Sequence, residues 1–233
     1  LKAIVVRRGS KRPKPVDESA FKVLTKKIRF LIENHPGTGI GGSLYTFGTA
    51  MLVHLMTAAG VIPIHNFSLK ERLSFDQADN FSGETIREKY FIGRKGCYIC
   101  PTGCGRRIRI NDKAAKGPEY ESIAMLGPNS GFFKFKEEIF PLSELCDELG
   151  IDTISAGGLI AMLREAGVIG SLEEAKQVLI KAAKGEEPYS KGTLHTARKL
   201  GREELAMHVK GLDIPAYNPK GAKGIALAYA TSN

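Results

Sequence analysis

Leu142-Ser-Glu-Leu145-Cys146-Asp147-Glu-Leu149-Gly150, followed by Thr153-Ile-Ser-Ala-Gly157-Gly158-Leu-Ile-Ala-Met-Leu-Arg-Glu165, decides the fold. Leu142, Leu145, Cys146 and Leu149 recur at i, i+3, i+4 and i+7, the stripe of an amphipathic helix with one apolar face. Gly150 stands at the C′ position, where only a residue tolerant of the left-handed conformation ends a helix cleanly. The spacing predicts a second helix over 153–165. Ser171-Leu-Glu-Glu174 has the form of a capping box and opens a third, with Leu172, Ala175, Val178, Leu179 and Ala182 inward.

The helical pattern continues in both directions. Asp17 and Ser19 are N-cap residues ahead of Phe21, Leu24, Ile28 and Leu31, and His35-Pro36-Gly37 ends that helix. Gly37 to Gly48 is glycine-rich but follows a helix. A phosphate-binding loop needs a strand before it, so a tight turn into an apolar helix over 50–59 is expected instead. Short helices are expected over 82–90 and 192–200, and the chain from Gly211 to Gly224 is rich in Pro and Gly. Leu1 to Val6 reads as an isolated strand. The expected fold class is therefore mainly α: a multihelical domain with an orphaned N-terminal strand and little else extended. Residues 1–17 are expected to be the end of a preceding domain, 18–208 the helical body, and 209–233 the entry to a further domain.

The 233 residues are 42% hydrophobic and 25% charged, ordinary for a globular chain. No apolar run approaches the roughly 18 residues a membrane helix needs, so no membrane association is expected. The net charge of +9 is concentrated in Arg7–Lys14 and around Arg94, Lys95, Arg106, Arg107 and Arg109. Such a balance suits nucleic acid, an acidic protein or an anionic cofactor.

Three of the four cysteines lie within eight residues, Cys97-Tyr-Ile-Cys100-Pro-Thr-Gly-Cys104. Disulfide frameworks are spread along a chain, whereas a C-x2-C-x3-C run in a Gly/Pro loop suits metal or cluster ligation in a reducing, cytoplasmic compartment. An iron–sulfur cluster is favoured over zinc, because structural zinc wants four closed ligands and no second pair is present. Cys146 sits on an apolar stripe and reads as a small core residue. The competing reading of the whole chain is a zinc-stabilised nucleic-acid-binding module. It would be expected to interleave aromatics with its basic residues, and only Tyr98 lies between Cys97 and Arg109.

At this point the chain resembles the aldehyde ferredoxin oxidoreductases, the tungsten or molybdenum bis-pterin enzymes. Leu1–Val6 resembles the strand closing that family's N-terminal cofactor domain. Cys97–Arg106 resembles its cluster loop, and Gly117-Pro-Glu119-Tyr-Glu121 its active-site segment. Asp147-Glu-Leu-Gly-Ile151-Asp152-Thr153 resembles its pterin motif D-x-x-G-L-D-T, with Ile151 in place of Leu. Gly211–Tyr217 and Tyr229–Asn233 resemble the start of its C-terminal domain.

The resemblance implies a [4Fe–4S] cluster on Cys97, Cys100 and Cys104, a tungsten (or molybdenum) bis-pterin, aldehyde oxidation to carboxylic acid, ferredoxin as electron acceptor, and possible homodimerisation. It implies Glu121 as the catalytic carboxylate, with Glu119 as the alternative, and Tyr217 in the substrate pocket. Asp147, Ile151, Asp152 and Thr153 would contact pterin, the carboxylates accepting its N–H groups. It further implies that the fourth cluster cysteine and a histidine near the metal lie outside this sequence. The chain is thus expected to be a central fragment, inactive alone. No Glu stands three residues before a His, so the E-x-x-H iron site of some members is not carried over.

Overall fold

The computed structural model describes residues 13–232, together with Val5, Arg7 and Gly9. The strand expected at Leu1–Val6 lies, but for Val5, outside the described residues. The body is mainly helical, as expected. In chain order the helices are α1 (Glu18–Asn34), α2 (Ser43–Phe47), α3 (Leu52–Ala58), α4 (Phe75–Ala78), α5 (Gly83–Lys89), α6 (Tyr120–Leu126), α7 (Phe140–Leu149), α8 (Thr153–Glu165), α9 (Leu172–Ala183), α10 (Thr193–Lys199) and α11 (Lys223–Ser232).

The local signals act as their chemistry dictates. The Asp17 carboxylate accepts from the N–H groups of Ser19 and Ala20 and starts α1. Gly150, at φ 68°, ends α7. Ser171 and Glu174 complete both halves of the capping box on α9. The apolar residues of α1 depart from expectation: Phe21, Leu24, Ile28 and Leu31 are all more than half exposed, and α1 buries none of its residues.

The core is centred on α6 and α8. Ile123, Ala124, Met125 and Leu126 of α6 meet Leu159, Ile160, Met162 and Leu163 of α8, all essentially inaccessible. The two backbones touch at Gly157, where an added Cβ would lie 2.6 Å from the carbonyl of Met125. Close helix packing therefore requires glycine at position 157. Cys146 is fully buried in the same core, as its stripe requires.

The expectation of little extended structure beyond the first residues needs correction. A three-stranded antiparallel sheet, β1 (Phe91–Lys95), β2 (Gly105–Ile110) and β3 (Lys113–Lys116), brackets the cysteine loop. β2 alternates strictly: Arg106, Ile108 and Ile110 point in, Arg107 and Arg109 out. The turn to β3 is Asn111-Asp112, both at positive φ (48° and 62°), the two-residue hairpin geometry that Asn and Asp tolerate. A two-stranded ribbon, β4 (His208–Val209) with β5 (Leu212–Asp213), leads into the C-terminal segment. That segment packs on the body: Ala216 is fully buried, and the Asn218 N–H donates to the Val61 carbonyl at 2.6 Å.

Candidate functional site

The cysteine loop spans the gap between β1 and β2. Cys97 and Cys100 are exposed, and Cys104 is partly covered. The Cys100 N–H donates to the Cys97 carbonyl at 3.0 Å, drawing the loop into a turn, and Ile99 takes a left-handed conformation at φ 60°. Backbone N–H groups of Thr102 and Gly103 hold the Cys100 thiol below the usual thiol range, because they stabilise the thiolate. Burial pushes the Cys104 thiol up, and the nearby Glu119 carboxylate adds to that.

Arg106 supports the loop from beneath. Its guanidinium is 4% exposed and donates to the carbonyls of Gly103 and Gly105 at 3.1 and 3.0 Å and of Leu44 and Tyr45 at 2.8 and 2.9 Å. It therefore ties the loop to α2 while placing a fixed positive charge beside Cys104. Gly48, at φ 66°, completes the junction, since a Cβ there would meet the Cys104 carbonyl at 2.4 Å.

Among the described residues, no three His, Cys, Asp or Glu side chains converge on a position for one metal ion. The zinc alternative, which needs four ligands on one ion, therefore finds no such set there. The donor chemistry does fit an iron–sulfur cluster, whose thiolates each bind a different iron. Three thiols share one short loop, backbone N–H groups favour a thiolate at Cys100, and a buried cation lies underneath.

The start of α6 joins this loop to a second cluster of side chains. Glu119 accepts a short hydrogen bond from the Thr49 hydroxyl, which itself accepts from the Tyr120 N–H at 3.0 Å. Two residues on, Glu121 is partly buried and faces the C-terminal segment. Its Oε2 accepts from the Ala216 N–H at 2.8 Å, while the Tyr120 hydroxyl donates to the Ala216 carbonyl at 2.8 Å. Both backbone polar groups of one residue, Ala216, are thus gripped by adjacent residues of α6. Burial pushes the Glu121 carboxyl up, opposed by the Ala216 N–H and the Tyr217 hydroxyl and reinforced by Asp152. Burial and the Glu121 charge raise the Tyr217 phenol to about 12.

Asp152 is an exposed N-cap of α8, with one oxygen accepting from the Ser155 N–H at 2.8 Å. Thr153 pairs its hydroxyl with Ser122 at 2.9 Å. Ile151 packs against the core between them. Glu121, Asp152, Thr153 and Tyr217 therefore belong to one neighbourhood. Asp147 does not: it is exposed on α7 and pairs with Lys116 of β3 at 3.1 Å. Glu119 turns to the Thr49 hydroxyl and Cys104 rather than to Glu121.

Asp213 and Tyr229 also join this neighbourhood, and sequence reasoning did not select them. Burial pushes the Asp213 carboxyl up, the Thr193 and Ser155 hydroxyls beside it oppose the rise, Asp152 adds to it, and Oδ1 is buried with no hydrogen-bond partner. Tyr229 is raised by burial and by Glu121. Asp213 is carried by β5, and Gly158 of α8 admits it, since a Cβ there would stand 2.7 Å from Oδ1. A buried acceptor oxygen with no partner, beside the Asp152 carboxylate, suits a ligand rich in N–H donors, such as a pterin.

A pH dependence follows from these two carboxyls. Each is raised in the fold, so the native state binds protons more tightly than the unfolded chain. The associated stability is present below the ordinary carboxylate range and is lost as pH rises through the raised values. Denaturant unfolding of wild type and Asp213→Asn at several pH values from acid to neutral is expected to show a smaller loss for the variant. Parallel curves would contradict a charged, poorly solvated Asp213.

The sequence matches the profile of a family described as "Aldehyde ferredoxin oxidoreductase, domains 2 & 3" over residues 23–233. It is 37% identical to a tungsten-containing aldehyde ferredoxin oxidoreductase of Pyrococcus furiosus and 36% identical to one of Thermococcus kodakarensis. Both matches cover 100% of this chain and 41% of the relative. It is 28% identical, over 93% of its length, to an aliphatic sulfonate oxidoreductase WOR-like subunit of Pyrococcus furiosus, 38% of which is covered. The chain thus spans about two fifths of the length of the curated relatives it matches.

Proposed function

Because the chain belongs to the aldehyde ferredoxin oxidoreductase family, we propose that it forms the central part of an enzyme oxidising aldehydes to carboxylic acids. Water supplies the added oxygen, and two electrons and two protons leave for each aldehyde. The electrons pass singly through a [4Fe–4S] cluster to ferredoxin, in a reducing, cytoplasmic setting. The observation that carries this reading is the linkage at the start of α6. Glu119 lies by the thiols and Glu121 in the carboxylate–tyrosine cluster, so the two chemistries adjoin across one helical turn.

Cys97, Cys100 and Cys104 are the thiolate ligands of the cluster, and the buried Arg106 guanidinium offsets part of their charge. Asp152 and Asp213 would accept from pterin N–H groups, with Ile151 and Thr153 beside them, whereas Asp147 would have to leave its ion pair with Lys116 to take part. When bound, the tungsten (or molybdenum) bis-pterin supplies two-electron redox chemistry. Glu121 accepts the proton released as water adds to the aldehyde carbon. Its Oε2 is held by the Ala216 N–H, and the proton is taken up as the Tyr217 hydroxyl, which also donates to this carboxyl, turns to the substrate. A carboxyl raised by burial is a better base near neutrality than an ordinary one. The Tyr217 phenol stays protonated at neutral pH, and on turning from Glu121 it donates to the aldehyde oxygen.

The test is anaerobic aldehyde-dependent reduction of a viologen dye by the cofactor-loaded enzyme, with the product acid quantified. One carboxylic acid is expected for every two viologens reduced. Failure across aliphatic and aromatic aldehydes, with full cofactor content, would overturn the reading.

A further inference from the structure

The outer face of the three-stranded sheet carries a row of cations, most of which have no ion-pair partner among the described residues. Arg107 and Arg109 point outward from β2, and Lys116 of β3 stands directly opposite Arg107. Lys95, at the end of β1, is on the same outward side by strand alternation. Like charges directly opposite on neighbouring strands destabilise a sheet. Lys116 has Asp147, but Lys95, Arg107 and Arg109 have no ion-pair partner among the described residues. Lys95, Arg107 and Lys116, with Arg94, Gly96 and the small side chains of Ala114 and Ala115, line a shallow open groove that runs up to the cysteine loop, and Arg109 lies on the same outward side of β2 beyond that lining.

That loop presents apolar surface at its tip. Tyr98 is 94% exposed and Ile99 75% exposed, the latter in the left-handed conformation already noted. Both sit between Cys97 and Cys100. An apolar spot at an electron exit, rimmed by unpaired cations, has the form of a short-lived docking surface. Charge complementarity there sets encounter rate and orientation, and a small apolar contact closes the gap.

We propose that the groove lined by Lys95 and Arg107, flanked by Arg109 on the same sheet face and by Tyr98 and Ile99 on the adjoining loop, is where an acidic ferredoxin docks to take electrons. This rests on the oxidoreductase reading and adds the surface and the residues. Each docking event transfers one electron to one oxidised ferredoxin, so two encounters clear each aldehyde turnover.

The experiment compares two acceptors on the cofactor-loaded enzyme, a ferredoxin of net negative charge and a viologen dye. In Lys95→Glu/Arg107→Glu, KM for ferredoxin at low ionic strength is expected to rise by about tenfold or more. The viologen-coupled rate should stay within about twofold of wild type, as neither residue contacts substrate. Wild-type kcat/KM for ferredoxin should fall with added salt, and the variant's should fall less. Arg107→Lys should restore most of the ferredoxin KM. If the double variant folds poorly, Lys95→Gln and Arg107→Gln singly carry the same comparison. An unchanged ferredoxin KM and salt slope would overturn the docking site. So would salt-sensitive binding of a DNA duplex through these residues with ferredoxin kinetics untouched. No viologen reduction by wild type would instead overturn the oxidoreductase reading.

Discussion

Cys97→Ser, Cys100→Ser and Cys104→Ser are each expected to abolish anaerobic reconstitution of iron and sulfide, whereas Cys146→Ala is expected to leave iron content unchanged. A serine hydroxyl is a poor substitute for a thiolate ligand. The loop has no spare donor, since Cys146 is fully buried among Leu142, Ile123 and their neighbours and burial raises its thiol to about 12. Cys146→Ser is a sharper control. It should cost about 1–3 kcal/mol of stability by burying a hydroxyl without an assigned partner, yet hold as much iron as wild type once folded. Iron and sulfide analysis with EPR on the five single variants separates the cases. Iron that disappears in Cys146→Ala would make Cys146 a ligand, and stoichiometric zinc in place of iron would overturn the cluster.

Glu121→Gln is expected to lower kcat for aldehyde oxidation by about 10²- to 10⁴-fold, the usual worth of a positioned general base. Glutamine retains an oxygen for the Ala216 N–H, so the grip of α6 on the C-terminal segment survives and the variant should fold. Glu119→Gln should have a much smaller effect on the chemical step, because its carboxylate is committed to the Thr49 hydroxyl beside the thiols. Tyr217→Phe falls between them, removing one donor and leaving the ring against Tyr120, with centroids 5.6 Å apart. Steady-state rates with a viologen acceptor on enzymes of equal cofactor content make the comparison. Equal rates in Glu121→Gln and wild type would remove Glu121 from proton transfer.

The legible part of the site was what one chain segment carries by itself. Cys97, Cys100 and Cys104 form a group in the sequence because a short loop keeps sequence neighbours together. Glu121, Asp152 and Tyr217 were reached through the resemblance. The tertiary structure brings them together through α6, the start of α8 and the segment after β5, which are far apart along the chain. Asp213 shows the limit clearly. In the sequence it is an unremarkable acid between Leu212 and Ile214. Its burial is imposed by Gly158, Thr193 and Ser155 from other elements, and its unpaired Oδ1 exists only because they close around it.

The same division holds for the fold. Caps, left-handed glycines and the 3.6-residue apolar period are local, so α1, α7, α8 and α9 were determined by sequence alone. The sheet around the cysteine loop was readable in principle from the alternation Arg106 to Ile110 and the Asn111-Asp112 turn, but short strands between arginines offer little apolar signal. Which face of each element meets the core was decided elsewhere. The stripe of α7 is buried because α6, α8 and α9 surround it, whereas the equally periodic stripe of α1 remains exposed among the described residues. Periodicity specifies that a face is apolar. Only the packing of distant segments supplies the surface that covers it, because burial is a property of contacts and a helix makes few with itself.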